Sequence, residues 1–193
     1  MVSTLAKSTA KKTARITRED EAPGRDVGHE GRLYIGGEWI APSAGDGIDV
    51  ISPHTEEVIA RAPAAGPADV DRAVAAARAA IDEGPWPRLD PAARIAAVRR
   101  LAAVYGERRR EMAAVITAEM GAPITFSKLA QATLPCAMLG AFADVAEAHA
   151  WEEVRPGYYG QDVTLRREPV GVVAAVAPWN MPQHSIVVKL APA

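Results

Sequence analysis

Asn180 is the residue of this chain best placed to do chemistry. It stands in the run Pro178-Trp179-Asn180-Met181-Pro182. A carboxamide there is a neutral, fixed donor. It can hydrogen-bond to negative charge developing on a substrate oxygen without changing any protonation state, and removing such a donor typically costs about 10²–10³ in rate. Asn also caps helices, and a helix is due at Pro182, so the local residues leave both uses open. Two other reactive side chains read as structural. Cys136, between Pro135 and Ala137, has no base or positive charge beside it to make a thiolate, and is expected as a buried thiol. His184 titrates near neutral pH as a residue type, but a lone helical histidine is more often packed. No metal site is expected.

Asn180 is positioned by what flanks it. Val170 to Ala177 carries no polar side chain, as a parallel strand covered on both faces would. Pro178 ends that strand, having no N–H for a ladder, and Pro182 suits the first turn of a helix. Asn180 therefore falls between strand end and helix start, where α/β sheets place ligand sites. The last residue, Ala193, comes about three turns into that helix, so the chain reads as stopping inside a domain.

Upstream, Leu33 to Ile40 reads as two short strands about a Gly36-Gly37 turn. A second strand pair, Ile48–Ile51 and 57–60, flanks the Pro53-His54-Thr55 turn. Pro67 to Glu83 switches to helical spacing, with Val70, Val74, Ala77 and Ile81 on one face and Asp69 and Asp71 in the first turn. Asp90-Pro91 opens a second helix as cap and first position, and Gly121 ends it. Its arginines, among them Arg108, Arg109 and Arg110, are flanked by Glu107 and Glu111, which predicts a salt-bridged, solvated face. A third helical region covers about 127–148, with Pro135 as a kink or boundary. The stretch 162–167 alternates like a half-exposed strand.

The 193 residues balance 22 Lys and Arg against 24 Asp and Glu. A net charge of −2 gives no field to gather nucleic acid or an anionic membrane. Aromatics at 5% do not make a stacking platform for single strands. No uninterrupted apolar run reaches the roughly 20 residues of a membrane span. The single cysteine excludes an internal disulfide and fits a reducing compartment, so a cytoplasmic location is expected. Residues 1–30, basic and hydroxyl-rich up to Arg18 and acidic at 19–21, read as a disordered tail rather than a transit-type presequence.

From Leu33 to Ala193 the residues resemble the N-terminal portion of the aldehyde dehydrogenase superfamily. The resemblance rests on Tyr34-Ile35-Gly36-Gly37-Glu38-Trp39, Pro53, the helix 69–78, Arg94 and Glu119-Met120-Gly121-Ala122-Pro123. Its most specific part is Arg167-Glu168-Pro169-Val170-Gly171-Val172 followed by Pro178-Trp179-Asn180. It implies an α/β fold with an incomplete Rossmann-type parallel sheet. Residues 31–193 would then be the N-terminal part of the dehydrogenase domain, with 151–169 contributing to a β oligomerisation extension.

The resemblance also implies NAD or NADP as cofactor, a small-molecule aldehyde as substrate, and a homo-oligomer, dimer or tetramer, when complete. In the family a cysteine thiolate adds to the aldehyde, hydride leaves to the dinucleotide, and the thioester is hydrolysed to the acid. Asn180 matches the oxyanion donor, and Ala177, Pro178 and Trp179 match positions lining the cofactor cleft. Lys189 matches a family lysine near the active site, although an exposed helical lysine is the commoner case. The Gly-x-Gly-x-x-Gly fingerprint is absent, as it is in the family. Met181 stands where relatives usually have an aromatic residue that lines the substrate tunnel, and Gln183-His184 replaces a more apolar pair. The family's nucleophile and general base lie beyond Ala193 in relatives, and Cys136 is far from the nucleophile position. The chain alone is therefore expected to be inactive. The alternative is a non-enzymatic truncated product, or an interaction fragment that binds a full-length relative.

Overall fold

A computed structural model of the chain describes His29 and residues 31–193. The tail expected over residues 1–30 lies, His29 apart, outside the described residues. His29 itself stacks on Trp39 with ring centroids 4.4 Å apart.

Strands β1 (Leu33–Ile35) and β2 (Glu38–Ile40) form the expected hairpin, with Tyr34 opposite Trp39. Gly36 and Gly37 have φ of 64° and 88°, and positive φ at both positions is what a two-residue turn matched to strand twist requires. Strands β3 (Ile48–Ile51) and β4 (Val58–Ala62) make a second antiparallel pair with an irregularity at Val50/Ile51. Helix α1 (Pro67–Asp82) follows. Its Asp69 is 1% exposed and accepts hydrogen bonds from the backbone N–H groups of Ser43 and Gly66 and from the Ser43 hydroxyl. These bonds hold its carboxyl below the usual carboxylate range, against the opposing effect of burial.

Helix α2 (Pro91–Met120) starts as expected: the Asp90 carboxylate accepts from the Ala93 N–H at 2.7 Å. It ends at Gly121, left-handed at φ 75°. A one-turn α3 (Ile124–Phe126), a π-helical stretch (Ser127–Thr133) and α4 (Leu134–Ala148) then run on as one rod. The Pro135 boundary is real, but it takes the form of a widened turn rather than a break. Proline cannot donate to the carbonyl four residues back and its ring crowds that carbonyl, so the preceding turn opens to wider spacing. By length and composition this rod, Ile124–Ala148, is apolar enough to cross a membrane. Polar residues such as Lys128, Gln131 and Asp144 interrupt it, so no uninterrupted apolar run marks it in the sequence. One face of the rod packs on α2, and the core lies between them: Ala113, Ile116, Ala132, Leu139 and Ala143 are each at most 2% exposed. Small side chains let the two helices approach closely, and Thr117 donates across the seam to the Ser127 hydroxyl at 2.8 Å.

Strands β5 (Glu152–Pro156) and β6 (Asp162–Arg166) form a third antiparallel hairpin. All of β6 is exposed, so its expected half-buried alternation is not realised. Helix α5 (Pro182–Leu190) closes the described structure. The architecture is the mixed helix-and-strand arrangement of an incomplete α/β domain.

The expected strand at 170–177 is not formed. The stretch is unpaired among the described residues, whose six strands are all committed to the three hairpins. Val170 is 97% and Val176 80% exposed. Gly171 at φ 115° breaks the extended conformation at its second residue. Val172 to Ala174 instead line an apolar groove of about 380 Å³ with β1 and the Val70–Val74 face of α1. That explains why Val70 and Val74 form a helical stripe yet stay about half exposed.

Candidate active site

The apolar stretch delivers Asn180 to a turn immediately before α5, as its spacing implies. The capping use left open by the sequence is not the one adopted. The residue at the cap position is Met181, and no side-chain cap bond forms. The Asn180 side chain is exposed, and among the described residues its amide makes no hydrogen bond. Its backbone is held instead. The side-chain amide of Gln131, in the π-helical stretch, donates to the Asn180 carbonyl at 3.0 Å from 49 positions earlier. Gln131 is 1% exposed, also touches Met120 Sδ at 3.5 Å, and leaves its own Oε1 buried without a partner among the described residues.

Helix α5 is tied down beside it. Gln183 donates to Met112 Sδ at 3.2 Å, linking α5 to α2, and Ser185 and Val187 are buried. Lys189 turns back on its own helix, its ammonium donating to the Ser185 carbonyl at 3.1 Å. His184 is half-buried, with Nδ1 unpartnered among the described residues. Met181 is half-buried next to the turn.

Cys136 is half-buried on α4, with its thiol against the Ala102 carbonyl at 3.5 Å. Gly106 leaves room for it, since a Cβ there would stand 3.4 Å from the sulfur. Burial, with a smaller contribution from Cys136, pushes the Tyr105 phenol up to about 12. These groups lie in the α2–α4 seam and are not among the residues that hold the Asn180 turn. Among the described residues no three His, Cys, Asp or Glu side chains converge as a metal site would need.

Ala177, Pro178 and Trp179 follow one another on exposed chain, the indole 78% exposed. They offer an apolar edge and a ring face next to Asn180 in the chain. Between Ala177 and Pro182 no basic side chain and no glycine-rich turn is present to receive a diphosphate. Gln131 was missed in the sequence. Its one signal was an amide within the otherwise apolar run Leu129 to Ala132, and nothing local points from it to residue 180.

Comparison with known proteins bears on the chain's family and fold. The model of the Aldehyde dehydrogenase family matches residues 39–193. Geranial dehydrogenase of Castellaniella defragrans is 35% identical over 161 residues, which are 83% of this chain and 34% of that protein. The NADP/NAD-dependent aldehyde dehydrogenase PuuC of Escherichia coli is 32% identical over 85% of this chain and 33% of its own length. Among solved structures, the Mycobacterium tuberculosis aldehyde dehydrogenase complexed with NAD+ superposes with a TM-score of 0.80 at 40% identity. That match covers 84% of this chain and 34% of the other. A mutant of aldehyde dehydrogenase C from Pseudomonas syringae, complexed with NAD+ and octanal, gives 0.80 at 36%, over 86% and 33%. The chain spans about a third of the length of the curated relatives it matches.

Proposed function

The chain belongs to the aldehyde dehydrogenase family, and from that premise we propose that it carries the oxyanion-stabilising donor of an enzyme oxidising a small-molecule aldehyde to a carboxylic acid with NAD or NADP. Asn180 is that donor. When a nucleophile adds to the aldehyde carbon, negative charge collects on the former carbonyl oxygen. A side-chain N–H already fixed in place lowers the energy of that state without reorganising. The observation that carries the reading is the uncommitted, exposed Asn180 amide on a turn whose backbone is anchored by a buried side chain.

Ala177, Pro178 and Trp179 would hold one end of the dinucleotide, which when bound supplies the hydride acceptor. Their part is to keep that end against the Asn180 turn and to exclude water with apolar surface. Met181 borders the same turn and would shape the space for the aldehyde chain. Cys136 is not offered as the nucleophile: its thiol faces the Ala102 carbonyl in the α2–α4 seam. Lys189, bound to its own helix, is given no part in the reaction. The exposed hairpin β5–β6 is the surface we assign to contact with further copies in a homo-oligomer.

The test is Asn180→Ala in the protein at its natural length, with aldehyde oxidation followed with each dinucleotide. The expected result is a fall in kcat of about 10²–10³ with little change in KM or in thermal midpoint. A variant within twofold of the parent would sink the assignment.

A further inference from the structure

Asn180 is useful as a donor only if its turn is rigid, and what stiffens that turn is not on the turn. Among the described residues, the hydrogen bond to the Asn180 carbonyl from outside comes from the Gln131 amide, at 3.0 Å. Three features of Gln131 set it apart from a solvated polar side chain. It is 1% exposed. Its Nε2 is shared with the Met120 sulfur at the end of α2, 3.5 Å away, so the turn is braced against the longest helix. Its Oε1 is buried with no partner among the described residues.

The position of Gln131 is itself a consequence of Pro135. Pro135 has no N–H to give the Gln131 carbonyl four residues earlier, and the helix widens over Ser127–Thr133. That widening sets the direction in which residue 131 leaves the rod.

We propose that Gln131 is a positioning residue for the reaction: by holding the Asn180 carbonyl it fixes the direction of the Asn180 side-chain amide. The inference rests on the oxyanion reading of Asn180. Gln131 is 1% exposed and its amide bonds to the Asn180 backbone and Met120, so its removal should leave substrate affinity alone and act on the rate through Asn180. Small misplacements of a catalytic group are costly, and the expected loss is about tenfold in kcat, less than for removing the donor itself.

The experiment uses Gln131→Met, which keeps length and loses the amide, and Gln131→Glu, which keeps shape and loses the N–H. Both are made in the natural-length protein, alone and combined with Asn180→Ala. The expected result is a kcat about tenfold lower with KM for the aldehyde within twofold of the parent. In the Asn180→Ala background neither substitution should lower the rate further, because the group it acts through is gone. If Gln131→Met fails to fold, Gln131→Glu decides. A parental kcat in a folded Gln131 variant, or losses that multiply with Asn180→Ala, overturns the positioning role while leaving Asn180 in place. A parental rate for Asn180→Ala alone overturns the oxyanion reading and this inference with it.

Discussion

Asp69 fastens the start of α1 to Ser43, 26 positions earlier, by taking that residue's backbone N–H and its hydroxyl on one carboxylate. The same carboxylate accepts the Gly66 N–H at 3.0 Å, and Arg72 lies 3.9 Å away. The folded state thus favours the ionised form, and the Asp69 pKa is lowered, chiefly by the backbone bonds. A lowered folded pKa contributes stability that is fully present above the unfolded value, about 3.9. That stability is lost as pH falls through the folded value. Asp69→Asn should melt earlier than the parent at pH 7, and the gap should close on acidification below about pH 4. Thermal melts from pH 3 to pH 7 check this, and a gap of constant size would refute the linkage.

Gly121 should not tolerate a side chain. It ends α2 at φ 75°, and a Cβ would stand 3.0 Å from Pro53 Cβ. The left-handed conformation alone costs a non-glycine residue roughly 1–2 kcal/mol, and the contact with Pro53 adds to it. Gly140→Ala is the control: nothing lies within 4 Å of its Cβ position, and inside a helix alanine is favoured by about 1 kcal/mol. Urea unfolding should move in opposite directions for the two variants.

The two leucines 129 and 139 offer a test of where the core lies. Leu139 is 1% exposed in the α2–α4 seam, whereas Leu129 is 74% exposed on the same rod. Leu139→Ala should cost roughly 2–5 kcal/mol, and Leu129→Ala about 0.5 kcal/mol or less. Similar losses at both sites would mean that the rod is covered on both faces.

The unpaired 170–177 stretch should govern how the 193-residue chain behaves in solution. Its valines are exposed and it carries no charge, the composition that associates edge to edge. A Val173→Lys, Val176→Lys double variant should show markedly less light scattering at equal concentration. Unchanged scattering would place the sticky surface elsewhere, with the β5–β6 hairpin tip at Tyr158 and Tyr159, 94% and 85% exposed, the next candidate.

What could be read from the residues was what they settle locally. The Gly36-Gly37 turn, the Asp90-Pro91 start and the Gly121 stop were each legible because one residue type meets a backbone need within four positions. The turn that carries Asn180 was legible because the apolar run, Pro178 and Pro182 bracket it. The strand at 170–177 was misjudged because a ladder belongs to two segments, and an apolar run does not reveal its partner. The exposure of Val70 and Val74 escaped for the same reason: periodicity defines a face and not what covers it. Gln131 was invisible as a partner of residue 180 because their contact spans 49 positions.

The π-helical stretch at Ser127–Thr133 has a consequence for how this segment can change length. Such a stretch holds one residue more than an α-helix spanning the same rise, so it is where the rod can lose a residue without losing its hydrogen bonding. Deleting Ala130 would narrow the stretch toward ordinary helical spacing up to the carbonyl that Pro135 leaves unpaired, with Leu139 and Ala143 still on α2. Because the wide stretch already absorbs the extra residue, α3 would keep roughly its facing relative to them. Deletions on the α4 side would instead swing the core residues out of the seam. This one segment is thus a tolerant site for an insertion or deletion.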